Sequence, residues 1–104
     1  MSGGTEEFYL DVLSVFYEDA KERLPLIRKA QESGDLSAIG FHAHALKGAL
    51  ASIGATEISA EATRLEAAGK TNDLSLAEEI MPGFFEQLSQ LIEKIYSIID
   101  IKKL

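Results

Sequence analysis

Three residues near the middle of the sequence, His44, Lys47 and Gly48, have the types and spacing of a reactive site on a helix. A neutral imidazole carries a nitrogen lone pair that can attack an electrophile such as a phosphoryl group. Residues three and four apart share a helix face, so the Lys47 ammonium can neutralise phosphoryl oxygens near His44. Gly48 removes a side chain where a partner must approach closest. Taken alone, Lys47 is plausible as an ordinary solvated surface residue, and Gly48 is plausible as a glycine without a functional role. Their combination around His44 favours a nucleophilic histidine.

The helix around His44 combines one apolar arc with an unusually bare outer face. At about 100° per residue, His44 lies roughly 140° from the centre of the apolar arc and should point to solvent. Each helical glycine costs about 1 kcal/mol relative to alanine, so an exposed, uncharged face with two glycines requires a compensating function. We therefore predict that another macromolecule docks here, on Gly40, Phe41, Ala51, Ser52 and Ala55.

The second histidine, His42, lies at the edge of the apolar arc and is predicted to be a partly buried, hydrogen-bonded packing residue. Residues two apart on a helix diverge by about 200°, so His42 and His44 cannot bind one metal ion, and we predict no metal site. No local signature of a Ser/His/Asp or Cys/His set, a glycine-rich phosphate loop or an H-E-x-x-H pair is present. A hydrolase or a nucleotide-using kinase is therefore not supported.

Composition narrows the class of protein further. The 104 residues, 46% of them hydrophobic, fit one compact domain, predicted to span residues 5–104 after a disordered or vector-derived segment at residues 1–4. A net charge of −7 argues against nucleic acid as a partner. There is no cysteine, no apolar run long enough for a membrane span and no secretory signal. We expect a soluble, cytoplasmic protein.

Apolar residues recur at threes and fours through most of the chain, which is typical of amphipathic helices. A first helix is predicted from about Thr5 to Glu32, with Pro25 causing a kink or a split near residues 17–20. Its predicted inward residues are Phe8, Val12, Val15, Phe16, Ala20, Leu24 and Ile27. The central helix is predicted over residues 36–53, with Asp35 as its N-cap and Gly54 as its end.

Two further helices complete the predicted architecture. Thr56 is expected to cap a helix over residues 57–68 that closes at Gly69, and a last helix is expected from about Ser75. The last helix should bury Phe84, Leu88, Leu91, Ile95, Ile98 and Ile101. With short loops between helices, the pattern predicts an all-α, antiparallel, up-and-down four-helix bundle.

The motif His44-Ala45-Leu46-Lys47-Gly48, followed by Ser52-Ile53-Gly54-Ala55 and Arg64-Leu65-Glu66, resembles the histidine-containing phosphotransfer (HPt) domain family. The resemblance implies a phosphorelay intermediate, in which His44 accepts a phosphoryl group from a receiver domain's phospho-aspartate and passes it to another receiver. It also implies that Lys47 assists electrostatically and that Gly48 admits the receiver. Glu66 falls where family members often place a glutamine that hydrogen-bonds the histidine. A carboxylate there can orient the ring or repel an incoming phosphoryl group, and Lys70, one turn on, can partly offset its charge.

The resemblance further implies a phosphoryl carrier rather than an enzyme, without ATP binding or autokinase activity. Its implied partners are response-regulator receiver domains, with a hybrid histidine kinase as a further candidate, and its expected state is monomeric. No cofactor is expected on this chain, and Mg²⁺ is expected on the receiver. Two alternatives stay open: an adaptor that binds through the same face without phosphorylation, and the substrate domain of a chemotaxis-type kinase.

Overall fold

The chain forms four helices connected by short turns, and the computed structural model describes residues 2–103, with side-chain environments for residues 8–101. The helices are α1 (Ser2–Ser33), α2 (Leu36–Ser52), α3 (Thr56–Lys70) and α4 (Leu74–Lys103). The predicted all-α bundle is therefore confirmed. The separation of residues 1–4 from the domain stays a prediction, because Met1 lies outside the described residues.

One long helix sets the length of the molecule. The 32 residues of α1, at about 1.5 Å each, reach roughly 48 Å, which matches the longest dimension of the 49 × 20 × 17 Å molecule. The helix continues through Pro25 and does not split near residues 17–20. Loss of one backbone hydrogen bond at Pro25 is outweighed by the burial of Ala20 and Ile27 on either side of it.

Each interhelical turn uses a residue with left-handed backbone conformation, and two of the turns also carry an aspartate cap. Gly34, Gly54 and Asn72 have positive φ, which ends the preceding helix and reverses the chain. The Asp35 carboxylate accepts from the Ala38 N–H at 3.0 Å, and the Asp73 carboxylate accepts from the Leu76 N–H at 3.1 Å. These turns make consecutive helices antiparallel neighbours.

The predicted boundaries of α3 need correction. Ala55, not Thr56, is its N-cap residue, and no side chain caps this end. Thr56 is the first helical residue. A helix stabilised by tertiary packing can begin without a side chain that caps its first turn. At the other end the helix continues through Gly69 to Lys70.

The core is narrower at one end of the bundle than periodicity predicts. Phe8 and Val15 of α1 are 69% and 71% exposed, and Ile98 and Ile101 of α4 are 37% and 67% exposed, although all four were predicted to face inward. For Phe8 and Ile101 the reason is the length of the helices: α2 and α3 have 17 and 15 residues, about half as many as α1 and α4. Val15 and Ile98 instead lie next to the buried Phe16 and Ile99, on a side of their helix that faces away from the core. The buried residues of the long helices include Leu13, Phe16, Ala20, Ile27, Phe84, Leu88 and Ile95.

Two glycines let α2 and α3 approach closely. A Cβ atom added at Gly69 would lie 2.8 Å from the Gly40 Cα and 2.9 Å from the Leu36 carbonyl oxygen, both backbone atoms that cannot rotate away. Gly40 is itself buried in this contact. The placement of Gly40 on an exposed docking surface is therefore corrected, because its main contact is with α3 and not with solvent.

We predict that Gly69→Ala destabilises the protein by about 1–3 kcal/mol, since the added methyl group must push two helix backbones apart. The matched control is Gly83→Ala on α4, where an added Cβ meets nothing within 4 Å, and where alanine should stabilise the helix by up to about 1 kcal/mol. Urea unfolding of both variants measures the difference. Equal stability of the two variants would show that the α2–α3 contact tolerates a side chain.

Candidate functional site

His44 lies on the outer face of α2 with its side chain 66% exposed. Around it, Phe41 is 65% exposed. A Cβ placed on Gly48 would meet nothing within 4 Å beyond its own stretch of helix backbone. The predicted docking residues Ala51 and Ser52 are exposed, and Ala55 is half-buried. The structure thus brings Phe41, Ala51 and Ser52 to the accessible surface of α2, whereas Ala55, beyond the end of α2, packs partly against the core and Gly40 packs against α3.

A single buried carboxylate from α3 connects the charged and titratable groups of the site. Glu66, 6% exposed, binds the His44 Nδ1 through Oε2 at 2.6 Å and the Lys47 ammonium through Oε1 at 2.5 Å. The Lys70 ammonium lies 3.5 Å from Oε2, one turn along the same helix. Two helices therefore contribute to one cluster of a carboxylate, an imidazole and two ammonium groups.

The hydrogen bond from Lys47 is the main reason that the pKa of Glu66 falls to about 2. Burial of the carboxylate opposes this shift, while the His44 hydrogen bond and the charges of Lys47 and Lys70 add to it. Glu66 is therefore ionised at neutral pH and can only accept hydrogen bonds. In the neutral imidazole the Nδ1–H donates to Glu66, which leaves the lone pair of Nε2 on the other side of the ring.

The same pKa predicts how stability depends on pH. Because the pKa of Glu66 is about 2 in the folded protein and 4.5 without its partners, the carboxylate stabilises the fold above pH 4.5 and loses this contribution as pH falls toward 2. Urea unfolding between pH 5 and pH 2.5 should therefore show a steeper loss of stability for the wild type than for Glu66→Gln. Parallel curves for the two proteins would contradict the prediction.

The backbone beside the site is tied to α3 by a contact that the sequence pattern did not reveal. The Ser59 hydroxyl donates to the Lys47 carbonyl oxygen at 2.9 Å. Between α2 and α3 an open depression of about 370 Å³ lies next to the imidazole, with Gly40 and Gly69 among its lining residues. Close approach of these glycines is what brings the Glu66 carboxylate within reach of His44.

His42 has different surroundings, as the sequence predicts. Its Nδ1 accepts a hydrogen bond from the Arg23 guanidinium of α1 at 3.0 Å. Burial, and then the charge of Arg23, lower the pKa of His42, while Asp19 opposes them. The Arg23 guanidinium also lies 6.0 Å from the centre of the Phe41 ring. Arg23 was missed by sequence reasoning, because the register between α1 and α2 is not visible in either helix alone.

Within the described part of the chain, no helix is both long enough and apolar enough to cross a membrane.

Comparison with known proteins places this site in a family. The Hpt domain model matches residues 11–97. The chain is 29% identical over 103 residues to the phosphorelay intermediate protein rdeA of Dictyostelium discoideum, covering 98% of this chain but 39% of that protein. In structure it is similar to the histidine-containing phosphotransfer protein B (HptB) of Pseudomonas aeruginosa PAO1, with a TM-score of 0.73 and 26% sequence identity over 93% of this chain and 81% of that one. Since the matched range contains all four helices in part or in full, together with His44, Lys47, Gly48 and Glu66, the chain belongs to the histidine-containing phosphotransfer (Hpt) domain family.

Proposed function

We propose that this chain is a monomeric, cytoplasmic phosphorelay intermediate that carries a phosphoryl group on Nε2 of His44 between the aspartates of two receiver domains. The observation that carries the proposal is the 2.6 Å contact between the His44 Nδ1 and the buried Glu66 carboxylate. This contact orients the ring so that Nε2, with its lone pair, is the nitrogen left for a partner. The name of the Dictyostelium relative, a phosphorelay intermediate protein, points to the same activity.

The acceptance step is an in-line displacement at phosphorus. The Nε2 lone pair forms the N–P bond while the P–O bond to the donor aspartate breaks, and the electron pair of that bond stays on the aspartate oxygen. The receiver supplies Mg²⁺ and the acidic pocket that holds it. This chain supplies the nucleophile and positive charge, and we propose that it binds no ATP and has no kinase activity of its own.

Lys47 is placed to supply that charge. Its side chain is 35% exposed, and its ammonium donates a hydrogen bond to the Glu66 Oε1 on the same side of α2 as His44. An ammonium so placed neutralises part of the charge of a phosphoryl group on the imidazole. Lys70, 74% exposed, is a second cation at the edge of the site.

The receiver docks on the exposed part of the α2 face. Phe41 offers a large apolar contact, while Ala51 and Ser52 form a low surface beyond Gly48. Such a surface lets the receiver's active-site loops reach His44 without meeting long side chains. Response-regulator receivers are the proposed partners, and the receiver of a hybrid histidine kinase is a further proposed donor.

Phosphotransfer profiling tests this function. Receivers from the same organism, each phosphorylated with a ³²P label, are incubated with the chain, and the label on the chain is followed over time. We expect an acid-labile, alkali-stable label from at least one receiver and its passage to a second receiver. Binding of phosphorylated receivers without any transfer would instead indicate an adaptor, and labelling by a kinase domain and ATP alone would indicate a kinase substrate domain.

A further inference from the structure

Phe41 is an exposed aromatic residue whose ring is contacted from two helices. It lies one turn before His44 on α2, and it is 65% exposed. The ring of its neighbour His42 meets it edge-on, with the ring centres 5.3 Å apart and the planes at 73°. The Arg23 guanidinium of α1 lies 6.0 Å from the centre of the same ring, within reach of a cation–π contact. Two side chains therefore hold a ring that keeps most of its surface in solvent.

The Arg23 side chain is itself fixed by two hydrogen bonds. Its Nε donates to the Asp19 carboxylate at 2.9 Å, and its Nη1 donates to the His42 Nδ1 at 3.0 Å. Because the guanidinium is planar and its donors point in set directions, acceptors on two helices determine its orientation. Burial, and then the charge of Arg23, lower the pKa of His42, so its ring stays neutral at pH 7 and keeps the Nδ1 lone pair that accepts this bond.

A fixed orientation of the Phe41 ring favours binding of a partner more than it favours folding. The ring buries little surface in the free chain, so the hydrophobic gain from its placement is small. A mobile side chain loses rotamer freedom when a partner covers it, and this loss weakens binding. A ring already held by Arg23 and His42 avoids part of that loss. The benefit of these contacts therefore falls mainly on a docked complex.

We propose that Arg23 is a positioning residue for receiver docking: held by Asp19 and His42, it fixes the Phe41 ring in the orientation in which the receiver meets it. This inference rests on the proposed phosphorelay function. It makes α1 a determinant of docking, although the apolar contact itself is on α2. Arg23 acts through Phe41 and not through its own charge on the receiver.

The first test separates docking from chemistry. Arg23→Met keeps a long aliphatic side chain and removes the guanidinium, and the control Arg64→Met removes a 53% exposed arginine of α3 that pairs with Glu61. Rapid mixing measures transfer from one phosphorylated receiver over a range of receiver concentrations. We expect the KM for the receiver to rise roughly 2- to 10-fold in Arg23→Met only, with an unchanged rate at saturation. An unchanged KM, an equal rise in Arg64→Met, or a fall in the saturated rate alone would overturn the inference.

Two substitutions of His42 test the hydrogen bond that holds the guanidinium. His42→Leu removes the acceptor and should raise the KM as Arg23→Met does. His42→Gln offers an amide oxygen that can accept from Arg23, so its KM should stay close to that of the wild type. Equal KM values for these two variants would contradict a role for this hydrogen bond in docking.

A double-mutant cycle shows whether Arg23 acts through Phe41. The cycle compares Arg23→Met in the wild-type chain with the same exchange in a Phe41→Ala chain. If the arginine serves only to position the ring, it should have no further effect on the KM once the ring is gone. Effects of the two substitutions that multiply would show that the guanidinium meets the receiver directly, which would overturn the inference.

The Phe41 ring can also be followed without any receiver. Three-bond NMR couplings report its χ1 rotamers in the free protein, and we expect one dominant rotamer in the wild type and an averaged mixture in Arg23→Met. The same rotamer populations in both proteins would overturn the inference. If Arg23→Met does not fold, His42→Leu serves for the same comparison. Normal transfer with an unchanged KM would contradict the inference alone, whereas no transfer to the wild type from any receiver would contradict the proposed function and the docking role together.

Discussion

Replacing His44 by glutamine is expected to abolish phosphorylation of this chain and leave its fold intact. The imidazole is 66% exposed, so its removal opens no cavity in the core. A glutamine amide has no lone pair of comparable nucleophilicity, so labelling by a phosphorylated receiver should fall by roughly 10²-fold or more. Retained helicity and an unfolding midpoint close to that of the wild type would show that the loss is chemical.

The matched control is His42→Gln, which removes the neighbouring imidazole. Because the His42 ring is bound to Arg23 and lies away from the Glu66 cluster, this variant should keep most of its labelling. Unchanged labelling of His44→Gln, or loss of labelling only in His42→Gln, would mean that the phosphoryl acceptor has been assigned to the wrong residue.

The partnership between His44 and Glu66 shows what the sequence could predict about the site. Counting along an ungapped family resemblance placed Glu66 near His44, but it left open whether the carboxylate orients the ring or repels a phosphoryl group. The structure shows that it hydrogen-bonds the ring and also binds Lys47. That second contact offsets the carboxylate's charge, and no pattern within either helix reveals it.

The periodicity of hydrophobic residues could not predict contacts that depend on the register between helices. Gly40 looked like part of an exposed shelf because its angle on α2 is close to that of His44, yet it packs against Gly69 of α3. Arg23 of α1 reaches His42 by the same kind of interhelical contact. A helical wheel shows which residues share a face, but not which other helix covers that face.

Burial along the long helices was predicted well only where a third helix is present. Phe16 and Phe84 are buried as expected, whereas Phe8 and Ile101 are exposed. Hydrophobic spacing alone did not reveal that α2 and α3 end about halfway along α1 and α4. The lengths of the short helices, set by turns at Gly34, Gly54 and Asn72, determine how far the common core extends.

Gly48→Gln is expected to slow phosphotransfer by about 10²-fold while leaving the isolated domain folded, because even a 1 Å displacement of reacting groups can cost that much. A Cβ at Gly48 would meet nothing within 4 Å, so the fold itself has no steric need for glycine there. Glutamine favours the helix over glycine by about 0.5–1 kcal/mol. The cost should therefore appear only when a receiver docks.

The matched control is the same exchange at Gly83, a helical glycine on α4 that is also exposed and open around its Cβ position. Rapid-mixing measurements of transfer from one phosphorylated receiver compare the two variants with the wild type. Slow transfer in Gly48→Gln together with normal transfer in Gly83→Gln would locate the receiver on the α2 face. Wild-type rates in both variants would contradict docking at Gly48, whereas equal slowing in both would show that the receiver's contact extends to α4. Since both exchanges should stabilise their helices, a selective loss at Gly48 would have to arise in the complex with the receiver.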